Sequence, residues 1–475
     1  MTRLSKGSEE LLRIVEDEKS LYKYKIHGIS IWSVVRRRYR NLRIEKTCGI
    51  APMSNHAHFN FKRLLLTFFT SLRQYISFSL RRKQVDIWFS NFTRLDCVDG
   101  IWVDKFIDPV IDKLELDNYI CFERGNSGVH QKPRLHQDSI VYTEAIDFSI
   151  NLLEILISPF YYVRYRKVYL ELFDAAQKSF FMQRKDFWQI VRLFTRFDIK
   201  RRIYKRIFRK KRVKYFFGVA RLTFYSQMVA CKELGIPVFE FQHGITVSET
   251  VLYSGSVDEM FVPDYFLAFG KMWVGSQFGI DCKRIKVIGW AYRDYLRKTL
   301  SVIPKKYMHI LFASEPEISD KIIAAVSELA KAFPDYFFDI RLHPHERFTS
   351  EQSAMIETIP NVRVVDNKIG SFVTLMQYDY VAGEHSTVLY EAMSLGKKVA
   401  KICFADLHPK SLIDNYNDGF YYVHDIEEFG LFLEAELSES QKEKMSQIYS
   451  PFDREGVLNL FGCASLFDSN VDDIS

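Results

Sequence analysis

The chain has 475 residues, of which 47% are hydrophobic and 26% charged, and a formal net charge of +7 at pH 7. This composition excludes a disordered chain, and the length exceeds one ordinary core of roughly 150 residues. The seven cysteines are scattered, without CxxC or zinc-finger spacing, so we expect free thiols in a reducing cytoplasm.

Residues 1–84 are predicted to form a helical, basic N-terminal extension. The opening MTRLSKGSEELLRIVEDE is charged throughout, so we expect no secretory signal. Segment 61–83 sets apolar residues at helical spacing among six Lys or Arg, and it is too interrupted to supply the roughly 20 apolar residues of a membrane span. Such a helix either lies on an anionic membrane surface or packs on the domain with a solvated basic face.

Residues 85–289 are predicted to form a first domain, because short β-rich runs alternate with helical patterns as in parallel sheets. The predicted strands are 85–90, 118–123, 213–219, 237–243 and 265–270. The loop 91–109 follows the first strand and holds four aspartates. Acids before a helix are usually caps, and Asp99, beside Gly100, is the one best placed to face a cleft. Asp99 is therefore a candidate catalytic base.

A helical insertion at 150–212 is the most basic part of this domain. Segment 196–214 carries eleven Lys or Arg against the single acid Asp198. No RNP-like, helix-turn-helix or zinc motif accompanies it, so we expect no nucleic-acid partner. An anionic membrane or a lipid-phosphate acceptor fits the charge better, and a solvated basic helix is the alternative.

The strand 237–243 delivers three polar or small residues into the loop that follows it. Gly244 lets the backbone approach a ligand closely. His243 is a candidate base or phosphate partner, and the alternative is a structural histidine bonded to the backbone. We place Gln242 and Gly244 in a secondary cleft region.

Residues 290–435 are predicted to form a second domain, followed by a C-terminal helix and tail at 436–475. The second set of predicted strands is 284–289, 308–314, 336–344, 362–366, 378–384 and 398–404. Between the two sets lies a polar, proline-containing passage within 288–306. The sequence thus predicts an α/β protein with two Rossmann-like domains.

The stretch RLHPHE, 341–346, lies at a strand end of the second domain, where open α/β sheets bind ligands. Proline fixes the turn and leaves His343 at the sheet edge, able to donate to a phosphate or a base. A lone histidine is usually structural, but this one belongs to a polar group. The predicted nucleotide-binding residues here are Arg341, His343, Pro344 and Glu346.

The stretch GEHSTVLYEAMSLGKKVAKICF, 383–404, is a strand, a helix and a second strand. Ser386 and Thr387 can cap the helix, whose free N–H groups and dipole favour a phosphate. Glu391, about one turn in, can accept from ribose hydroxyls. The alternative is a plain βαβ unit in which Ser386 only caps and Glu391 is solvated. We place Glu384 and His385 in the secondary cleft region.

In order, KELGIPVFEFQHG, FFDIRLHPHE and EHSTVLYEAMSLGKKV resemble bacterial capsule and surface-polysaccharide glycosyltransferases, a GT-B group that includes users of CMP-Kdo, CMP-sialic acid and CDP-polyols. The resemblance covers roughly 86–429. It implies two Rossmann-like domains with parallel sheets facing a cleft, His343-Pro344 at the donor nucleotide and Ser386-Thr387 at its phosphate. Where sialyltransferases of the group have an acidic pair before Gly, Val98-Asp99-Gly100 supplies only half.

The resemblance implies an enzyme that moves a sugar from a nucleotide-activated donor, of the CMP-Kdo or CMP-sialic-acid type, to a surface-polysaccharide or lipid-linked glycan acceptor. We expect no cofactor and, without a DxD pair at the cleft, no metal. We expect a cytoplasmic protein, peripheral on the inner face of the cytoplasmic membrane through segments 61–83 and 196–214. Alternatives are a nucleotide-sugar 2-epimerase of the same architecture and a nonenzymatic scaffold for polysaccharide assembly.

Overall fold

The computed structural model describes residues 14–48, 61–81, 84–125, 129–244, 258–274, 280–300, 304–343, 346–365, 369–384, 386–409 and 419–465. Two of the predicted site residues, Pro344 and His385, lie outside these ranges, as do residues 82–83 of the basic segment 61–83.

The chain before the first sheet forms a short hairpin and two helices. These are β1 (Lys25–Ile26), β2 (Ile29–Ser30), α1 (Ile31–Cys48) and α2 (Phe61–Leu80). Helix α2 packs on the first domain through its polar and aromatic side chains: Ser71 Oγ donates to the Tyr142 carbonyl at 2.7 Å and accepts from the Ala145 N–H at 3.0 Å. The Phe78 ring lies 5.9 Å from that of Trp88.

The first domain is built on a seven-stranded parallel sheet. Its elements are β3 (Ile87–Ser90), β4 (Leu95–Val98), β5 (Ile101–Asp104), α3 (Asp108–Leu114), β6 (Tyr119–Glu123), β7 (Ile140–Tyr142), α4 (Glu144–Ala176), α5 (Arg184–Lys211), β8 (Tyr215–Val219), α6 (Tyr225–Lys232), β9 (Val238–Phe241), β10 (Tyr265–Ala268) and β11 (Ile285–Val287). The sheet order is β11-β10-β9-β8-β3-β6-β7, and β4 and β5 form a separate antiparallel hairpin. The strand order therefore reverses between β3 and β8.

The second domain is built on a six-stranded parallel sheet. Its elements are α7 (Ala291–Thr299), β12 (His309–Ala313), α8 (Ser319–Ala332), β13 (Phe337–Arg341), α9 (Ser350–Glu357), β14 (Val362–Val365), α10 (Ser371–Met376), β15 (Tyr380–Gly383), α11 (Thr387–Ser394), β16 (Lys398–Ile402), β17 (Tyr421–Val423) and α12 (Ile426–Glu434). The sheet order is β14-β13-β12-β15-β16-β17, which reverses between β12 and β15. The prediction of two Rossmann-like domains with parallel sheets is confirmed.

Two helices, α13 (Glu439–Ile448) and α14 (Arg454–Ser465), follow the second domain. Helix α14 lies against the first domain, because the Tyr215 hydroxyl donates to the Phe461 carbonyl at 3.0 Å and the two rings are 4.9 Å apart. This contact brings α14 back to the first domain from the second.

One strand lies in a different sheet from the predicted one. Strand β11 pairs with β10 of the first sheet, with Phe266 opposite Ile285, whereas the sequence grouped 284–289 with the second set. That assignment was wrong because an apolar run identifies a buried strand but does not identify its neighbour.

The basic segment 196–214 lies mainly in α5, and much of its charge is paired within the protein. Arg201 forms ion pairs with Asp198 and Glu233, and Lys205 lies 2.7 Å from Glu233. Lys211 is buried and donates to two backbone carbonyls at the end of α2. A high count of basic residues therefore overstates the positive surface of this helix.

Candidate functional site

The first sheet places a buried ion pair beside the point where its strand order reverses. Arg221, just after β8, donates through Nε to Glu240 Oε2 at 2.7 Å and through its backbone N–H to Oε1 at 2.9 Å. Both side chains are buried. Because ligands of open α/β sheets bind outside the carboxyl ends of the strands at such a reversal, this pair forms the floor of a candidate crevice.

His243 lies in the same region, after β9, and its side chain is buried. Its ring meets that of Phe92 edge to face, with the centroids 5.6 Å apart, and the Arg94 guanidinium lies over the same Phe92 ring, 5.2 Å from its centroid. Burial, together with the charges of Arg94 and Arg221, lowers the pKa of His243 to about 3. The imidazole is therefore neutral at neutral pH and is a weak base.

Gln242 and Gly244 shape the loop around His243. The fully buried Gln242 accepts from the Phe269 N–H at 2.9 Å and donates to the Gly244 carbonyl at 2.8 Å. The side chain thus ties the end of β9 to the end of β10. Gln242 therefore positions the loop, and its predicted place in a cleft region stays a prediction.

Asp99 lies at the exposed tip of the β4–β5 hairpin. Its φ of 49° and that of Gly100, 78°, are both positive, which is the backbone of a type I′ hairpin turn that Asp-Gly favours. The turn therefore explains the Asp-Gly pair by itself. The structure brings Asp99 together with none of the other predicted site residues through a described hydrogen bond.

Asp96, three residues before Asp99, contacts the second half of the chain. It is buried, accepts from the Tyr292 hydroxyl at 2.9 Å, and lies 3.8 Å from Lys105 Nζ. A Cβ added to Gly370 would lie 2.5 Å from Asp96 Cγ, so only glycine fits there without movement. Asp96 therefore sits in a close contact between the domains, a role that the sequence analysis missed.

Glu391 joins this contact from helix α11. Ser371 Oγ donates to Glu391 Oε2 at 2.6 Å. Burial, together with the charge of Asp96, raises the pKa of Glu391 above its usual range. The charge of Lys105 and the hydrogen bond from Ser371 oppose this increase without cancelling it. The structure thus gives Glu391 protein partners at the domain contact, where the sequence predicted a ribose contact or a solvated acid.

The second sheet reverses its strand order between β12 and β15, where Ala313 pairs with Gly383. A Cβ on Gly383 would lie 3.0 Å from the Ala313 carbonyl oxygen, so the backbones approach closely at this point. Ser314 follows the first strand and Ser386 follows the second. The topology therefore puts two serines at the expected ligand crevice of the second domain.

The loop that carries His343 is fixed to this crevice by Glu346. Glu346 is buried, and its carboxylate accepts from Ser314 Oγ at 2.6 Å, from Ser319 Oγ at 2.6 Å and from the His343 N–H at 2.8 Å. Three donors satisfy this carboxylate, which positions His343 beside the β12 loop. Arg341, also buried, donates to Thr374 Oγ1 at 2.9 Å and to the Ile369 carbonyl at 2.6 Å.

Ser386 is the N-cap of helix α11, and its hydroxyl accepts weakly from the Val388 N–H at 3.5 Å. Thr387, the first residue of the helix, is exposed. Glu384 is buried and accepts from the His408 N–H at 2.7 Å, which ties the β15 loop to the segment after β16. The weak cap bond leaves the Ser386 hydroxyl able to turn toward a ligand.

A buried ionic group at the carboxyl ends of β6 and β7 was also missed by the sequence analysis. His130 lies between Glu123, 2.8 Å away, and Glu144, 3.0 Å away, and Arg134 forms an ion pair with Glu123. The two carboxylates raise the pKa of His130 against the opposing effect of burial. Within the described ranges, no group of three or more His, Cys, Asp or Glu is arranged to hold a metal ion.

No protein-family model matches the sequence, and no curated protein matches it. Among solved structures, UDP-GlcNAc 2-epimerase from Neisseria meningitidis, bound to UDP-GlcNAc, is 14% identical, with a TM-score of 0.48, over 81% of this chain and 99% of that one. UDP-GlcNAc 2-epimerase from Methanocaldococcus jannaschii is 12% identical (TM-score 0.48; 80% and 99% covered). A glycosyltransferase from Rickettsia africae is 12% identical (TM-score 0.39; 82% and 98% covered). Similarity at these identities and TM-scores says nothing about the activity of this chain.

Proposed function

We propose that this protein is a glycosyltransferase that moves a sugar from a nucleotide-activated donor, of the CMP-Kdo or CMP-sialic-acid type, to a surface-polysaccharide or lipid-linked glycan. The observation that carries the proposal is the crevice between β12 and β15. Ser314 and Ser386 follow these two strands, and Glu346 accepts hydrogen bonds from Ser314 and from the His343 N–H. Hydroxyls and N–H groups at a helix start suit a nucleotide phosphate.

In the proposed reaction an acceptor hydroxyl attacks the anomeric carbon, the new C–O bond forms, and the bond to the donor phosphate breaks. The nucleotide leaves with the bonding electrons, and its charge is stabilised by His343, Ser386 and Thr387 at the start of α11. The proton of the acceptor hydroxyl passes to a base, for which His243 and Asp99 are the candidates. The pKa of His243, about 3, makes its imidazole a weak base, so its candidacy rests on its place just after β9.

The acceptor and the location of the protein are part of the proposal. A lipid-linked glycan lies at the membrane, and we propose that the protein works peripherally on the cytoplasmic face of an anionic membrane. Arg73 on α2 and Arg81 just after it are exposed and can contact anionic lipid. Helix α5 is less suited to this contact, because several of its cations form ion pairs within the protein.

Nucleotide binding is tested by the melting temperature of the purified protein with CMP, CDP, UDP or GDP, for the wild type and for His343→Ala. We expect stabilisation by CMP in particular, because a ligand that binds only the folded state raises stability, and loss of that shift in the variant. His424→Ala is the matched control, since His424 is exposed and pairs only locally with Glu428. Equal shifts in both variants would remove His343 from the site.

Turnover then separates the transferase from its alternatives. A transferase releases nucleotide only when an acceptor is added, and we expect EDTA to leave that rate unchanged. A 2-epimerase changes the sugar of the donor without any acceptor, and a scaffold binds nucleotide with no turnover. Loss of activity in EDTA that Mg²⁺ restores would overturn the metal-independent mechanism.

A further inference from the structure

Helix α4 exposes a continuous apolar stripe. Six large apolar side chains recur at helical spacing on its outer face, and Phe160 and Val163 are 74% and 76% exposed; the six are Phe148, Leu152, Ile155, Leu156, Phe160 and Val163. The stripe is about 22 Å long at the helical rise of 1.5 Å per residue. An apolar surface of this extent marks a contact with a partner or a membrane.

The opposite face of α4 is committed to the protein. Glu154 is buried and forms an ion pair with Arg192 of α5 at 2.6 Å, and Asp147 lies 3.4 Å from Lys200 of the same helix. Among the described helices, α4 alone is long and apolar enough to cross a membrane by length and composition. These ion pairs of buried acids with α5, and the non-helical backbone at Tyr165, argue that the helix lies along a membrane surface and does not cross it.

Helix α2 extends the apolar surface. The exposed ring of Phe69 lies 5.5 Å from that of Phe68, which in turn lies 5.2 Å from that of Phe148 on α4. Farther along α2, Leu66 and Leu80 are 70% and 76% exposed. The outer surfaces of the two helices are therefore joined through aromatic contacts into one region, which we call the α2–α4 face.

The charge of the α2–α4 face selects an anionic partner. Residues 61–81 contain no acid, and the only acid within 148–170 is the buried Glu154. At the end of the α4 stripe, Arg164, Arg166 and Lys167 are exposed, and the next acid along, Glu171, lies 4.0 Å from Lys167. Apolar side chains edged by cations match a bilayer with anionic headgroups, where each surface cation adds about 1 kcal/mol.

We propose that the α2–α4 face inserts into the surface of an anionic lipid bilayer, with the α4 stripe at the depth of the acyl boundary and Arg164, Arg166 and Lys167 among the headgroups. The proposal goes beyond the basic segments of the proposed function, because it assigns binding mainly to α4. It does not depend on sugar transfer, so a protein with no transferase activity would still bind vesicles.

The experiment is flotation of the full chain with vesicles of phosphatidylethanolamine and phosphatidylglycerol, and with vesicles of phosphatidylcholine alone. We expect strong flotation with the anionic vesicles and weak flotation with the neutral ones. The double variant Leu156→Gln/Phe160→Gln should lower the partition coefficient at least ~10-fold, since each side chain loses its burial in lipid. The matched control is Leu431→Gln, because Leu431 is 66% exposed on α12, far along the chain in the second domain.

Two outcomes would overturn the proposal. One is equal flotation of the wild type and the double variant, with the circular dichroism of both showing a folded chain. The other is a stable dimer without lipid that the double variant converts to a monomer, since a second copy of the chain would then cover the face. Nucleotide-induced stabilisation, measured on the same variants, keeps failure of membrane binding distinct from failure of the proposed function.

Discussion

The two sheets share one strand order but carry different chemistry at the points where that order reverses. The first sheet presents the buried pair Arg221–Glu240 and a neutral His243. The second presents the hydroxyls of Ser314 and Ser386 and a loop fixed by a fully hydrogen-bonded carboxylate. Topology thus sets where a crevice lies, and the strand-end residues set its chemistry. The Ser386 hydroxyl and the N–H groups at the start of α11 suit an anion, whereas the Ser314 hydroxyl is held by Glu346. The His243 imidazole, with a pKa of about 3, stays uncharged.

The largest loss of stability is expected from breaking the buried Arg221–Glu240 pair beside the strand-order reversal of the first sheet. Glu240→Ala leaves the Arg221 guanidinium buried without its carboxylate, which should lower the free energy of unfolding by about 3–5 kcal/mol. The urea midpoint, followed by tryptophan fluorescence, measures the loss. Glu428→Ala removes an exposed pair with His424 and should cost only about 0–1 kcal/mol. Similar costs for the two variants would show that the Arg221–Glu240 pair is not the support of the first crevice.

At the strand-order reversal of the second sheet, removing the carboxylate of Glu346 should weaken the binding of a nucleotide. Glu346→Ala removes the acceptor of three hydrogen bonds and frees the His343 loop, so CMP should bind ~10- to 100-fold more weakly, as lost bonds of about 1.4–3 kcal/mol predict. Isothermal titration calorimetry gives the affinity. Glu351→Ala, an exposed acid at the start of α9, is the control and should bind CMP like the wild type. Unchanged affinity in Glu346→Ala would place the nucleotide elsewhere.

The neutral imidazole of the first crevice predicts a pH dependence. The pKa of His243 is about 3 in the folded protein against 6.5 for an ordinary histidine, so the unfolded chain binds more protons between these values. Stability should therefore fall as the pH drops below 6.5, by about 1.4 kcal/mol per pH unit. Between pH 6 and 4.5 the wild type should lose about 2 kcal/mol more than His243→Asn. Parallel urea midpoints for the two proteins across this range would contradict a neutral buried His243.

The strands could be predicted from the sequence because buried parallel strands are nearly continuous apolar runs, as in IWFS at 87–90 and YFFGV at 215–219. Strand β7 escaped prediction because its three residues give too little pattern. The β4–β5 hairpin escaped because its residues lie in a stretch whose four aspartates were taken as a loop before a helix. The sheet to which β11 belongs escaped for another reason. Strand pairing is a tertiary property, and local residues do not encode it.

The site residues also divide into those that a local sequence pattern singles out and those whose contacts depend on tertiary packing. The sequence singles out the strand-end residues His343 and Ser386 because the carboxyl ends of parallel strands converge, and their contact with a ligand stays a prediction. The sequence analysis chose Asp99 from the four aspartates of a loop taken as irregular and did not single out Asp96. The Asp-Gly pair signals a type I′ hairpin, whose alternation buries Asp96 and exposes the turn, and this signal was present in the sequence. The contacts of Asp96 with Tyr292 and Lys105 depend on the packing of the two domains, which no local pattern reveals.

The smallest expected effect is the loss of stability in two serine variants. Comparing them tells whether Ser386 only caps helix α11 or also contacts a ligand. Ser386 caps α11 and Ser438 caps α13, so Ser386→Ala and Ser438→Ala should each lower stability by about 1 kcal/mol or less. Only Ser386→Ala should also lose the stabilisation by CMP, since the hydroxyl of Ser438 belongs to a complete capping box in the C-terminal helices. Thermal unfolding with and without CMP measures both effects. If the CMP shift survives in both variants, Ser386 acts as a cap alone, and the phosphate contact must come from the backbone of α11 or from the His343 loop.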